Sequence, residues 1–455
     1  MTLNFRLSAG ALAIAAALAV GMSADMPHVY AITGARIVTV SGTPIASGNV
    51  IIRNGLIDAV GASVEVPAEA QVIEGKGLTV YPGLIDMGNP TGVALQVNRQ
   101  PPADLRTTED TERWKRDLIF TPAVRAADHL TEAPELARLA NTGVTSVLST
   151  PPGVIVKGQS ALVNVTAPVD EPPIGNVGDY RKGIQVVRTP VALHVEFANA
   201  GGGGYPASLL GVIAFVRQSF IDAQHQHLVA QRAAKSAAVR PPYDPALEAL
   251  RPALEGRLPV VFEANSAREI LRALDMAQEF KLKPVIANAS EADEVVTELK
   301  ARSVPVIYNV NFPTRSRALA PDADEALSVL RARANAPKVP AALEKAGITF
   351  AFSATGVREP RDFVRNVAQA VRAGLSPEAA LRALTLDAAK IAGADGRVGS
   401  IEKGKIANLV ITSGDLFEEK TQVRHVFVDG RMLVIEEAPA AGRGGRGRGG
   451  FQPGR

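Results

Sequence analysis

Cysteine is absent from the 455 residues, which excludes disulfides, thiolate metal sites, iron–sulfur clusters and a cysteine nucleophile. Histidine is scarce: only His28, His129, His194, His225, His227 and His425 are available for imidazole chemistry. Long apolar runs are scarce too. The one such run, residues 7–20, follows Arg6 and ends in the small residues Gly21, Ser23 and Ala24, the pattern of a secretory signal peptide. It is shorter than the ~20 residues a spanning helix needs. The mature chain is therefore expected to carry no transmembrane span and to be secreted, into a bacterial periplasm. The low hydrophobicity and high net charge of disordered chains are missing as well: 46% of residues are hydrophobic and the formal charge is +3. Arg443, Arg446, Arg448 and Arg455 contribute +4, leaving −1 for the rest, so the basicity belongs to the tail.

What is present divides the chain in an orderly way. Short β-type runs at 36–40, 49–53 and 56–60, separated by turn signals such as Asn54-Gly55, recur at the other end over 408–412, 423–428 and 431–435. Between them strand-like and helix-like segments alternate. Buried-strand candidates are 79–86, 145–150, 191–197, 259–264, 284–287, 304–308 and 348–352. Helices are predicted over 266–280, 291–302 and 321–333, after Ser208, and after the cap Ser376-Pro377 as far as Gly393. Alternation of this kind predicts an α/β protein with a mostly parallel sheet. The leading architecture is a (β/α)8 TIM-like barrel inserted in a small β-sandwich domain formed by both chain ends; an open doubly wound sheet is the alternative. The expected units are a signal peptide (1–24), a composite β-sandwich (25–82 plus 395–437), the barrel (83–394) and a disordered Arg/Gly-rich tail (438–455). Only seven strands are legible. The weak region is 151–190, where Gly158, Pro168, Pro172 and Pro173 interrupt any pattern, and the place of the eighth strand is left open.

Three segments carry a family resemblance. Val80-Tyr-Pro-Gly-Leu-Ile-Asp86 resembles the opening of the barrel in the amidohydrolase superfamily. Ser376-Pro-Glu-Ala-Ala-Leu-Arg-Ala-Leu-Thr385 resembles its closing helix, and residues 399–411 with Val428-Asp-Gly-Arg431 resemble its returning β segment. The likeness covers roughly residues 30–435 and is nearest the imidazolonepropionase-like branch. It implies hydrolysis of non-peptide carbon–nitrogen bonds at one or two divalent metals, which acidify a bound water and polarise the carbonyl. It also implies a His-x-His pair after the first strand, later single histidines, and an aspartate at the last strand.

This sequence departs from that pattern residue by residue. Gly88 and Pro90 stand where the His-x-His pair belongs, Glu263 where the strand-five histidine belongs and Thr355 where the aspartate belongs, and no histidine appears in 284–290 for strand six. Asn408 replaces a further aspartate. No cofactor is therefore expected at the family site. His194 and Glu196, two apart on one strand, share a face at a spacing of about 7 Å. With Glu263 they form the candidate catalytic set, and zinc is expected only if the site has moved to them. Glu263 needs a buried partner, for which Lys157, Arg188 and His194 are candidates. Lys157 and Gln159, in a Gly-Gln-Ser segment similar to one in relatives, are candidate substrate contacts; an exposed hairpin is the other reading. Asn89, Asn265, Asn288 and Thr355 join them as candidate substrate-binding residues. His225 and His227 lie on a helix, where residues two apart diverge by about 200° and cannot share an ion. The glycine run 201–204 lacks the Lys-Ser/Thr of a phosphate loop and is expected to form a lid or turn.

Three functions follow as expectations: a degenerate barrel binding a small polar or peptide-like ligand with weak or no hydrolysis; a hydrolase with its site moved to His194, Glu196 and Glu263; or a protein that meets anionic envelope surfaces or nucleic acid through its tail.

Overall fold

The computed structural model describes residues 29–435 apart from 91, 96–99, 132–133, 166–178, 182, 199–204, 236–241, 321 and 434. The predicted signal peptide and tail, His28, the glycine run 201–204 and Pro168, Pro172 and Pro173 lie outside the described residues.

The first strands are β1 (Val29–Ile37), β2 (Ile45–Arg53), β3 (Leu56–Gly61), β4 (Gln71–Glu74) and β5 (Thr79–Pro82). Then come β6 (Leu84–Asn89), β7 (Val144–Ser149), β8 (Val156–Gln159), β9 (Ala161–Asn164), β10 (Asp179–Arg181), β11 (Ile184–Arg188) and β12 (Leu193–Glu196). β13 (Val260–Ala264), β14 (Pro284–Asn288), β15 (Val306–Asn309) and β16 (Phe350–Ser353) follow, and β17 (Leu409–Thr412), β18 (Val423–Val428) and β19 (Arg431–Leu433) close the chain.

Strands from both chain ends share one sheet, in the order β19-β18-β17-β5-β1-β2-β3 with β4 beside β1. Its joint is the antiparallel pairing of β5 with β17, Pro82 opposite Leu409 and Thr79 opposite Thr412. One face buries Ile32, Ile37, Val50, Ile52, Val80, Leu409 and Phe427, each worth roughly 1.5–3 kcal/mol when removed from water. The single strand expected over 79–86 is in fact two strands in different sheets. Gly83 divides them: a Cβ there would lie 2.0 Å from Thr145 Oγ1, so only glycine lets the chain pass β7 at that point.

The middle of the chain forms two further sheets, β10-β11-β9-β7-β6 and β16-β15-β14-β13-β12-β8. β6 and β7 are parallel, and so is every pair from β12 to β16. The remaining joint is made by residues 156–164. β8 pairs antiparallel with β12 and β9 antiparallel with β7, so one short run serves both sheets. Ser160 is the bend between them; its N–H donates to Ala192 O and its carbonyl accepts from Val191 N, both at 2.9 Å. On the far side, β6 meets β16: Asp86 Oδ1 accepts from Ala354 N at 2.8 Å.

Helices cover the outer faces. Ser266 caps the helix Ala267–Phe280 in a reciprocal box with Glu269, and Ser376 caps Pro377–Leu384. The helix expected over 291–302 is a 3₁₀ turn, Ala292–Val295, followed by Val296–Ala301, and that expected over 321–333 is Leu327–Asn335. Strand alternation separates two cores. On β13, Val260, Phe262 and Ala264 pack outward under the helices, while Val261 points inward with Ile85, Met87, Leu148, Val285, Ile307 and Ala351. Asn408, at the rim of the end sheet, is buried, donating to Ser146 Oγ (3.1 Å) and Asn164 Oδ1 (2.9 Å) and accepting from Asp429 N (2.8 Å).

Candidate functional site

The same alternation that sends Val261 inward places Glu263 on the inner face two residues later, at the carboxyl end of β13. His194 and Glu196 occupy the corresponding face of β12, in register with Val261 and Glu263. A cavity of about 310 Å³ opens above the inner core, lined by Gly88 and Pro90, Lys157, His194, Glu263, Asn288, Ser353 and Thr355 among others. Open α/β folds place ligands at the carboxyl ends of their strands, where loops diverge from a rigid sheet.

Lys157 organises this cavity. Its ammonium donates to Glu263 Oε1 and Oε2 at 2.9 and 2.8 Å and lies 2.8 Å from Glu196 Oε2. The side chain is 14% exposed, so the exposed-hairpin reading does not hold; β8 and β9 pair with β12 and β7, not with each other. Of the three partners weighed for Glu263, Lys157 is the one that bonds it, whereas Arg188 is exposed at the end of β11. Burial alone would raise the Glu263 carboxyl; the neighbouring His194 and the Lys157 ammonium overcome it and hold the group down at about 2. Burial works against the ammonium likewise, yet the charges of Glu263 and Glu196 keep Lys157 above its usual value.

His194 is 3% exposed. Its Nε2 is 2.8 Å from Ser160 Oγ, while Nδ1 lies 3.7 Å from Glu263 Oε1, beyond hydrogen-bond reach, and has no partner among the described residues. A buried ring nitrogen beside a cavity without a partner is costly, so this atom is available to a ligand. Ser160, which positions the imidazole, escaped the sequence reading, although the Gly-Gln-Ser segment contains it.

The β6–β16 rim is built from small groups. Thr355 Oγ1 donates to Gly88 O at 2.8 Å and sits 2.8 Å from Ser353 Oγ. A Cβ on Gly88 would come within 2.3 Å of Ser353 Oγ, so the close packing of this rim requires glycine. Beneath it Asp86, fully buried, accepts from Gly88 N, Ala354 N and Asn89 Nδ2. Burial raises its carboxyl to about 6 despite those bonds.

The remaining predicted contacts are scattered. Asn288 and Thr355 line the cavity. Asn89 lines an adjacent one. Gln159 is turned away, its amide donating to Pro122 O at 3.0 Å, and Asn265 is exposed at the start of a helix, lining neither cavity. His225 and His227 do lie on a helix, Leu209–Lys235.

Gly88 and Pro90 offer no side-chain donor, and among the described residues no three of His, Asp and Glu come together as ion ligands. The two carboxylates that do converge are already bridged by an ammonium.

Comparison with known proteins agrees with the architecture. The amidohydrolase family profile matches residues 269–433. An amidohydrolase from Thermotoga maritima MSB8 superposes with a TM-score of 0.71 at 25% identity, over 89% of this chain and 99% of that one. A prolidase complexed with N-methylphosphonate-L-proline (TM-score 0.52, 16% identity, 89% and 99% covered) shares the fold. So does phenylurea hydrolase B (TM-score 0.51, 17% identity, 90% and 97% covered). No curated protein matches the chain. The profile match and the shared fold support the amidohydrolase superfamily and, with it, a hydrolase-type function.

Proposed function

We propose that this chain is an exported amidohydrolase-superfamily protein that binds a small polar ligand in the strand-end cavity and hydrolyses it weakly or not at all. The observation that carries the reading is the Lys157 ammonium held between Glu196 and Glu263. A lysine amine supplies a fixed positive charge, but it neither acidifies a water nor polarises a carbonyl as a divalent ion does. A carboxylate held at about 2 is likewise a poor general base, since proton abstraction near neutral pH favours a base with pKa near 7. In this reading the two middle sheets close into a barrel of eight walls. Seven are parallel, and the bent run 156–164 is the eighth, antiparallel one, inserted in a composite β-sandwich from both chain ends. The signal at 1–24 directs the chain to the periplasm, and the tail 438–455 rests against anionic surfaces.

A second reading is favoured by the unpartnered His194 Nδ1 beside Glu263: a hydrolase whose acid–base work has moved to His194, Glu196 and Glu263. Purified protein incubated with cyclic amides and N-acyl amino compounds separates the two. The first reading expects binding with weak or no turnover, unchanged in Glu263→Gln. Turnover that disappears in Glu263→Gln establishes the second and overturns the first.

A further inference from the structure

A second cavity of about 270 Å³ lies against the first, and Gly88, Pro90 and Thr355 line both. The shared wall is the β6–β16 rim, where Thr355 Oγ1 donates to Gly88 O. The two sides differ in charge. At the first, one ammonium faces two carboxylates, Glu196 and Glu263. At the second, Arg138 and Arg358 face one acid, Glu135, and neither arginine forms an ion pair among the described residues. Pro360 and Phe363, in the first turn of the helix Pro360–Arg372, also line it, so the positive end of that helix dipole lies here too, with Asp362 of the same turn paired to Arg365. Two guanidinium forks without partners at one cavity suit a carboxylate, which they bind through paired charge-assisted hydrogen bonds. Across the shared wall, the Glu263 carboxylate, whose hydrogen bonds among the described residues come from Lys157, suits an amine or another strong donor.

We propose that the two cavities form one bipolar site, taking a ligand with an amine-like donor at the Glu263 end and a carboxylate at the Arg138–Arg358 end. This rests on the ligand-binding reading above and names its ligand class. The test is a ligand-observed NMR titration of the full chain with ω-amino acids from β-alanine to 8-aminooctanoate, each beside its matched alkylamine and alkanoate. The expected result is one chain length that binds at least about tenfold tighter than either single-ended partner, the scale of one charge-assisted bond. Arg138→Gln with Arg358→Gln should bring that ω-amino acid down to the affinity of its alkylamine and leave the alkylamine unchanged. Arg358→Lys should retain part of the preference. Equal binding of ω-amino acids and alkylamines in the wild type overturns the bipolar site while leaving ligand binding intact. Absence of binding by every probe overturns the bipolar site, and binding of neutral cyclic amides in the same titration then shows that the broader reading survives it.

Discussion

Replacing Lys157 with methionine removes the charge at the centre of the site while keeping most of the side-chain volume. Glu263 and Glu196 would then face each other, 17% and 29% exposed, with no cation between them. The depression of Glu263 from 4.5 to about 2, to which His194 and Lys157 both contribute, corresponds to about 3 kcal/mol at ~1.4 kcal/mol per pKa unit and sets the upper end of what Lys157 supplies through this group. That agrees with the ~3–5 kcal/mol lost when one partner of a buried pair is removed. In the wild type this stabilisation is present above pH 4.5 and is lost as pH falls towards 2. In the variant only His194 is left to favour the ionised carboxyl against burial and Glu196, so Glu263 rises from its wild-type position and the penalty at pH 7 shrinks as protonation sets in at lower pH. Urea denaturation followed by circular dichroism at pH 7 and pH 5 measures both effects. The expected outcome is a loss of about 3 kcal/mol at pH 7, a smaller loss at pH 5, and recovery at pH 7 when Glu263→Gln is added. A loss under about 0.5 kcal/mol, the range of an ordinary surface change, or an equal loss at both pH values, would refute the reasoning.

Two further predictions concern the frame. Asp86 has its carboxyl raised from 3.8 to about 6, so it costs stability above pH 6, and that cost is relieved as pH falls towards 3.8. Asp86→Asn should therefore flatten the gain in stability between pH 6 and pH 4, by up to about 3 kcal/mol in the difference between variant and wild type; parallel curves would refute the assignment. Asn408 donates twice and accepts once in a buried neutral network. Asn408→Asp, which cannot donate when ionised and buries a charge, should cost about 2–3 kcal/mol at pH 7 and less at pH 4, read from the same denaturation curves.

Much of this was legible in the sequence, for identifiable reasons. The strands β13 to β16 announce themselves as short apolar runs separated by helical segments, and Ser266 and Ser376 are local capping signals that need no tertiary knowledge. Glu263 was legible as a charge in an apolar run that had to find a partner. The parts that stayed hidden depend on contacts distant in sequence. Nothing near residue 83 reveals that Thr145 will press against it, so 79–86 looks like one strand. Residues 156–164 carry no parallel-strand pattern because they pair antiparallel with both neighbours. Arg138 and Arg358 are more than two hundred residues apart and meet only in the folded chain. Asn408, which reads as one more lost carboxylate, is instead a donor in a network whose other members lie on β7, β9 and the turn after β18.

The central proposal is that the Lys157 ammonium, and no divalent cation, serves Glu196 and Glu263. Equilibrium dialysis of the purified wild-type chain against zinc, followed by elemental analysis, addresses it directly. The account predicts far less than one zinc retained per chain after exhaustive dialysis, unchanged in Glu263→Gln. One tightly held zinc per chain, released by that substitution, would contradict it.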